Sequence, residues 1–198
     1  LVMKGNVVLD SVEEWNWEKA SGSVVVELEG LSLDQAAKGL VPDPKRALFF
    51  KKGLIDTLVE IKKKPLEAFL ELTASGSGKG LVYEVPQENG WVEAPSLDAE
   101  WNAAAAWNND TAELKVHKVL VKFPFGAVEM NGNMKLNTGE IGSLHVAGSD
   151  MALEDILKYW PGLENALPFQ MGFSGPGKWV LSMEGTLDHL SLHFGWDL

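Results

Sequence analysis

The chain has no cysteine among its 198 residues. Disulfides, thiolate nucleophiles and Cys-ligated zinc are therefore excluded. Long apolar runs are also missing. The longest charge-free stretch is the 13 residues from Asn165 to Gly177, broken by Pro168, Pro176 and three glycines. A membrane-spanning helix needs about 20 apolar residues, so none is expected. Positive charge is scarce, with 17 Lys and Arg against 28 Asp and Glu and a formal net charge of -11. A nucleic-acid binder needs a basic face, so that class is set aside.

Catalytic patterns are absent too. The four histidines, His117, His145, His189 and His193, stand in no HExxH frame, and no serine occupies a GxSxG elbow. His189 and His193 fall in a strand-like segment, where four positions span about 13 Å, too far for one shared metal. Gly76-Ser-Gly-Lys-Gly80 lacks the spacing and the Ser or Thr of a phosphate loop and reads as a flexible loop. The carboxylates show no paired arrangement. The expectation is no enzyme, no catalytic residue, no metal and no cofactor.

What is present is a globular composition, 45% hydrophobic and 23% charged, in a chain long enough for a buried core. Period-two segments dominate. Val24, Val26 and Leu28 alternate with Val25, Glu27 and Glu29. Leu81, Tyr83 and Val85 share a parity, as do Leu97, Ala99, Trp101, Ala103, Ala105 and Trp107. Ala112, Leu114 and Val116 alternate with Glu113, Lys115 and His117, and Val180 to Phe194 carries Leu181, Met183, Leu190, Leu192 and Phe194. Such alternation predicts half-buried antiparallel strands. Asn89-Gly90, Asn131-Gly132, Gly139, Gly142 and Gly175-Pro176-Gly177 read as turns between them.

Three segments depart from this rhythm. Leu33 to Leu40 and Leu153 to Trp160 predict short helices, closed by Pro42 and Pro161. In Lys45 to Lys64, Ala47, Phe50, Leu54, Leu58 and Ile61 recur every three or four positions, which predicts an amphipathic helix ended by Pro65. Residues 43–64 hold seven basic side chains against three acidic ones. A helix with this local excess of four positive charges fits two uses, lying on an anionic lipid surface or covering the end of a sheet. Its candidate contact residues are Lys45, Arg46, Phe50, Lys51, Lys52, Leu54, Leu58 and Ile61.

The chain also repeats itself. Met3-Lys-Gly-Asn-Val-Val-Leu-Asp10 matches Met130-Asn-Gly-Asn-Met-Lys-Leu-Asn137. Each is followed by an apolar strand ending in Gly (Gly30, Gly148), then a short helix and a proline. This order predicts an internal repeat over 3–44 and 130–163 within one β-rich module.

Two stretches carry a family resemblance. One is Asp150-Met-Ala-Leu-Glu-Asp-Ile-Leu-Lys-Tyr-Trp-Pro161 after its Gly-ended strand. The other is Gly177 to His193, with the pattern W-x-L-x-x-x-G-x-L-x-x-L-x-L from Trp179 to Leu192. Together they resemble the AsmA-like superfamily of bacterial envelope proteins, related to the TamB-like proteins and the N component of type II secretion systems. The resemblance covers the last third of the chain and, more loosely, residues 1 to 44. It implies a long curved β-structure with an apolar inner groove, which in many members passes phospholipid between two membranes. It also implies a periplasmic protein anchored to the inner membrane through a segment outside this chain. Phospholipid, envelope proteins and further copies of the module are the implied partners.

These readings combine into expectations. The fold is mainly β: a long twisted antiparallel sheet with repeated strand-turn-strand units, two short helices and one amphipathic helix. The chain, from Leu1-Val2-Met3 to Trp196-Asp197-Leu198, is read as a single module, residues 1–198, cut from a longer polypeptide. Eight tryptophans are many for this length. Trp101 and Trp107 flank Ala103 and Ala105 on one strand face, leaving a depression that suits an acyl chain or a packed helix. The expected lipid groove is Val24, Val26, Leu28, Trp101, Ala103, Ala105, Trp107, Leu114 and Val116. The competing expectation is a structural or assembly protein whose apolar face packs on a partner.

Overall fold

The computed structural model describes residues 2–8, 21–36, 38, 49–64, 66–87, 90–159, 176–186 and 189–197. Eleven strands form one sheet: β1 (Val2–Val8), β2 (Ser21–Ser32), β3 (Phe49–Lys63), β4 (Phe69–Gln87), β5 (Gly90–Glu93), β6 (Leu97–Asn108), β7 (Glu113–Phe123), β8 (Gly126–Lys135), β9 (Glu140–Ala152), β10 (Pro176–Thr186) and β11 (His189–Asp197). Ten of them run in chain order as a single antiparallel path, and β5 pairs on β4 beside it. Two short helices, α1 (Leu33–Ala36) and α2 (Leu153–Tyr159), follow β2 and β9 directly. Both sit at the same end of the sheet, called here the helix end. Among the described residues no helix is long and apolar enough to cross a membrane.

The expected helix over Lys45 to Lys64 is corrected. Phe49–Lys63 is strand β3, paired with β2 on one side and β4 on the other. Lys45 and Arg46 lie outside the described residues. From Lys52 to Leu58 exposure alternates strictly, with Leu54 and Leu58 outward on one face and Ile55 and Thr57 on the other, while the register shifts after Phe50 leave Phe50 paired with Tyr83. The helical stripe had merged residues from both faces of a strand. Ile55, Thr57, Val59 and Ile61 are β-branched and favour the pleat, and Gly53 is a poor helix residue. At Gly53, where φ is 133° and the pairing shifts, an added Cβ would meet Leu81 Cδ2 at 2.8 Å.

Two expected turns and one expected loop are also strand. Asn131-Gly132 lies inside β8 and Gly142 inside β9. Gly76 to Gly80 lies inside β4, where Gly76 and Gly78 make room for Trp101 and Leu81. The true turns use other chemistry. Asn108 is buried because its side-chain oxygen accepts the backbone N–H groups of Asp110 and Thr111, at 2.9 and 3.2 Å. Gly30 and Gly80, at strand irregularities, donate their N–H groups to Asp56 and Asp98 at 2.6 and 2.7 Å.

The closed core is small and lies at the helix end. Tyr83, Val85, Ala94 and Leu97 are buried together, with Phe123, Phe125 and Tyr159 packed against them. Phe125 stacks on Phe123 at 5.3 Å and on Tyr159 at 4.6 Å between ring centroids. The Tyr83 hydroxyl donates to the Tyr159 carbonyl, tying β4 to α2.

Candidate functional site

Paired residues in antiparallel strands point to the same face, so the register defines each face from one edge to the other. One row runs Leu28, Thr57, Gly76, Trp101, Val121, Val128, Gly148, Trp179, Trp196. The next runs Val26, Val59, Ala74, Ala103, Val119, Met130, Val146, Leu181, Phe194, with Met3 of β1 beside Val26. A third runs Val24, Ile61, Leu72, Ala105, Val116, Gly132, Leu144, Met183, Leu192, with Gly5 beside Val24. The fourth runs Gly22, Lys63, Leu70, Trp107, Leu114, Met134, Ile141, Gly185, Leu190. Thr57 and Lys63 are the polar members of these four rows from β2 to β11. Both direct their polar atoms to backbone: Thr57 Oγ1 donates to Ser75 O at 3.1 Å, and Lys63 Nζ donates to Lys64 O at 3.0 Å and to Glu67 O.

Nine strand spacings of about 4.8 Å make this face about 43 Å wide, and four rows make it about 20 Å along the strands. Val24, Val26, Trp101 and Ala103 on it are half-buried. The substantial contacts of α1 are with β2 and β3 and those of α2 with β9; the rest join neighbouring strands. Away from the helix end, nothing among the described residues is laid across the apolar face. At the helix end the Tyr83 cluster stands on it, since Leu97 and Phe123 continue its parity on β6 and β7.

The opposite face is polar. One of its rows reads Glu27, Leu58, Ser75, Asn102, Leu120, Glu129, Ala147, Val180 and Gly195. Ion pairs cross it between neighbouring strands, Lys118 to Glu129 and Lys135 to Glu140, both at 3.0 Å. The basic excess counted along residues 43–64 is largely offset here. Lys51 pairs with Glu84 at 2.9 Å and Glu93 at 3.4 Å, Lys62 with Glu60 at 2.9 Å, and Lys64 with Glu71 at 2.6 Å. The hydrogen bond from Lys64 holds the Glu71 carboxyl below its usual range, and the same bond raises Lys64.

The register brings all nine expected groove residues onto the one apolar face. Ala105 meets Val116 and Trp107 meets Leu114 directly. Val24, Val26 and Leu28 stand apart from them, because β3 and β4 intervene and three spacings make about 14 Å. Sequence reading missed the intervening members, Val59, Ile61, Leu72 and Ala74. Their own alternation was hidden under a helical stripe in β3 and under glycines in β4. Two of the tryptophans, Trp101 and Trp179, lie over glycines. A Cβ on Gly76 would meet Trp101 Cζ2 at 2.7 Å, and one on Gly148 would overlap the Trp179 ring, whose Nε1 is buried without a partner. Trp15, Trp17 and Trp160 are outside the described residues.

Three shallow depressions, of about 340, 520 and 490 Å³, are lined chiefly by polar-face residues. The one beneath Ala103 and Ala104 takes in Leu58, Glu60, Thr73, Asn102, Lys118 and Leu120. Between Trp101 and Trp107, Ala105 is flanked on the neighbouring strands by Leu72 and Val116, and Ala103 by Ala74 and Val119.

The histidines stay apart. His145 Nδ1 bonds Ser182 Oγ at 2.9 Å on the polar face, while His189 and His193 pair with Thr186 and Ser182. Among the described residues no group of three His, Asp or Glu side chains could hold a metal ion. No family model, curated protein or solved structure matches the chain.

Proposed function

We propose that the chain is a non-enzymatic module that holds phospholipid acyl chains on its apolar face, as one part of lipid transport between the membranes of a bacterial envelope. The observation that supports this reading is the set of four apolar rows in register across nine strands, uncovered away from the helix end among the described residues. Binding would come from transfer of apolar surface out of water, about 25 cal/mol per Å² buried, with little directional chemistry. The face extends about 20 Å along the strands, against about 15 Å for half a bilayer core, so one acyl chain lies along a strand. Successive strands then offer near-equivalent sites, which suits passage more than storage.

The AsmA-like resemblance points the same way. Under it, 3–44 and 130–163 are copies of one unit. Both have the order strand, strand, short helix, and Met3 and Met130 fall in one row while Gly5 and Gly132 fall in the next. The module is then periplasmic, anchored through another part of its parent chain, with envelope proteins or further modules beside it. The competing reading, an assembly protein whose apolar face packs on a partner's sheet, draws on one observation: the three depressions lie on the polar side, and a shallow apolar face suits a second sheet.

Native mass spectrometry of the purified chain separates the two, with co-purified phospholipid expected. Ala103→Arg sharpens the test. The charge can reach water from an uncovered face, so the variant is expected to fold and to lose bound lipid. A folded variant that keeps its lipid would place the path elsewhere. An unfolded one would mean that this face is closed core, because an unpaired buried charge is what unfolds it.

A further inference from the structure

We propose that the aromatic cluster at the helix end is the stop that sets how long an acyl chain the apolar face accepts. The methyl end of the chain meets the cluster, and the headgroup lies at the opposite end of the strands. This rests on the acyl-chain reading above and defines the lipid by its chain length.

Burial marks where the stop begins. Along the apolar parity of β6, Trp107, Ala105, Ala103 and Trp101 are half-buried, and then Ala99 and Leu97 are buried. β4 changes in the same sense: Leu70, Leu72 and Ala74 are half-buried, whereas Leu81, Tyr83 and Val85 are buried. The register joins these two boundaries, since Ala74 pairs with Ala103 and Leu81 with Leu97. The stop is also firmly held. Phe125 lies between the Phe123 and Tyr159 rings, and the Tyr83 hydroxyl ties α2 down through the Tyr159 carbonyl. An alkyl chain brings no directional contact with which to displace such a stack.

Chemistry orients the lipid. The cluster is built of rings and aliphatic side chains, and the buried Tyr83 hydroxyl is already committed to the Tyr159 carbonyl. A charged headgroup placed there would lose its water without replacement. At the other end the strands run into exposed polar turns, Asn109 to Thr111 between β6 and β7 and Asn137 with Thr138 between β8 and β9, where a headgroup stays hydrated. From Trp107 to Trp101 the path is about 20 Å of extended strand, against about 15 Å for the chains of one leaflet. Each methylene laid on the face raises affinity about fourfold, and one with no room on it adds nothing. Affinity therefore rises with chain length and levels off where the chain meets the cluster.

The test incubates the intact chain with vesicles holding equal amounts of short-, medium- and long-chain phosphatidylcholine. Native mass spectrometry then reads which lengths it carries. Phe125→Ala removes the middle ring of the stack and is expected to raise the ratio of long to medium chains several-fold. Val121→Trp, in the row of Trp101 and Val128, adds a ring about 7 Å nearer the turns and is expected to shift the bound lipid to short chains. Leu120→Trp, beside it on the polar face, is expected to leave the wild-type distribution unchanged. Circular dichroism checks that each variant is folded, and Val121→Trp carries the test should Phe125→Ala loosen α2. Bound lipid with the same length distribution in wild type and Val121→Trp overturns the stop and leaves the acyl-chain reading standing. An equal shift in Leu120→Trp also overturns it, because the ring would then act from the wrong face. A wild type that binds none of the three lipids overturns the acyl-chain reading and the stop with it.

Discussion

Tyr83 shows how much one side chain at the helix end is asked to do. It is 6% exposed, lies edge-on to Phe50 at 5.9 Å and donates its hydroxyl to the Tyr159 carbonyl. Burial, then the neighbouring Tyr159, push its pKa above the ordinary tyrosine value. A raised folded pKa means that the protonated form is favoured by folding. That stability is fully present below the unfolded value of about 10 and is lost as pH rises through the folded value. Tyr83→Phe should cost about 1 kcal/mol at neutral pH from the lost hydrogen bond and flatten the alkaline decline. Urea denaturation at neutral and alkaline pH checks both, and an unchanged alkaline slope would assign the decline to another group. Gly76 and Gly148 invite a paired comparison. A Cβ at Gly76 would overlap the Asp56 carbonyl as well as Trp101, whereas at Gly148 the nearest atoms all belong to the Trp179 ring. A ring can be removed and a strand backbone cannot. Gly148→Ala should therefore be partly rescued by Trp179→Leu, whereas Gly76→Ala should remain destabilising by about 1–3 kcal/mol in a Trp101→Leu background.

At the scale of elements, β3 decides the most. As a helix, Leu58 and Ile61 would share one stripe and respond alike to charge. As a strand, Leu58 stands 42% exposed on the polar face between Glu27 and Ser75, while Ile61 stands on the apolar face between Val24 and Leu72. Leu58→Lys should change stability by no more than about 0.5 kcal/mol. Ile61→Lys should cost about 1–2 kcal/mol in lost apolar contact. Thermal denaturation of the two variants separates the readings, and equal losses would contradict the strand. The lysines of β3 lead to an expectation of their own: because Lys51, Lys62 and Lys64 already face carboxylates, vesicle binding through this segment should respond little to anionic lipid content.

Across the whole molecule, stability is unevenly spread. The helix end holds the cluster of buried side chains around Tyr83, with Val85 at 2% exposure. The far side of the sheet ends on β11, where Leu190, Leu192 and Phe194 are all exposed. Hydrogen bonds in a strand open with the apolar contacts that shield them. Amide exchange measured by mass spectrometry should therefore be slowest in β4 around Tyr83 and Val85 and fastest in β11. Exchange in β11 as slow as in β4 would contradict this ordering.

The sequence by itself determined the β character, the places of both short helices and the parity of β2, β6, β10 and β11, of the end of β4 and of the start of β7. Those follow from neighbours one or two positions apart: Val24, Val26 and Leu28, or Trp101 through Trp107, alternate visibly because a pleat repeats every two residues. It also determined that Ala103 and Trp101 share a face. Only the tertiary structure decided that Phe49–Lys63 is a strand, because residues apolar on both faces carry a helical period as readily as a strand period. Its partners, Val24 to Val26 on one side and Leu72 to Ala74 on the other, are far away in the chain. Tertiary structure likewise decided that Gly76 and Gly148 are seats for tryptophans instead of breaks, since the rings that need the space arrive from neighbouring strands. The register that aligns nine strands' apolar residues into rows is a property of pairing, and no single strand contains it.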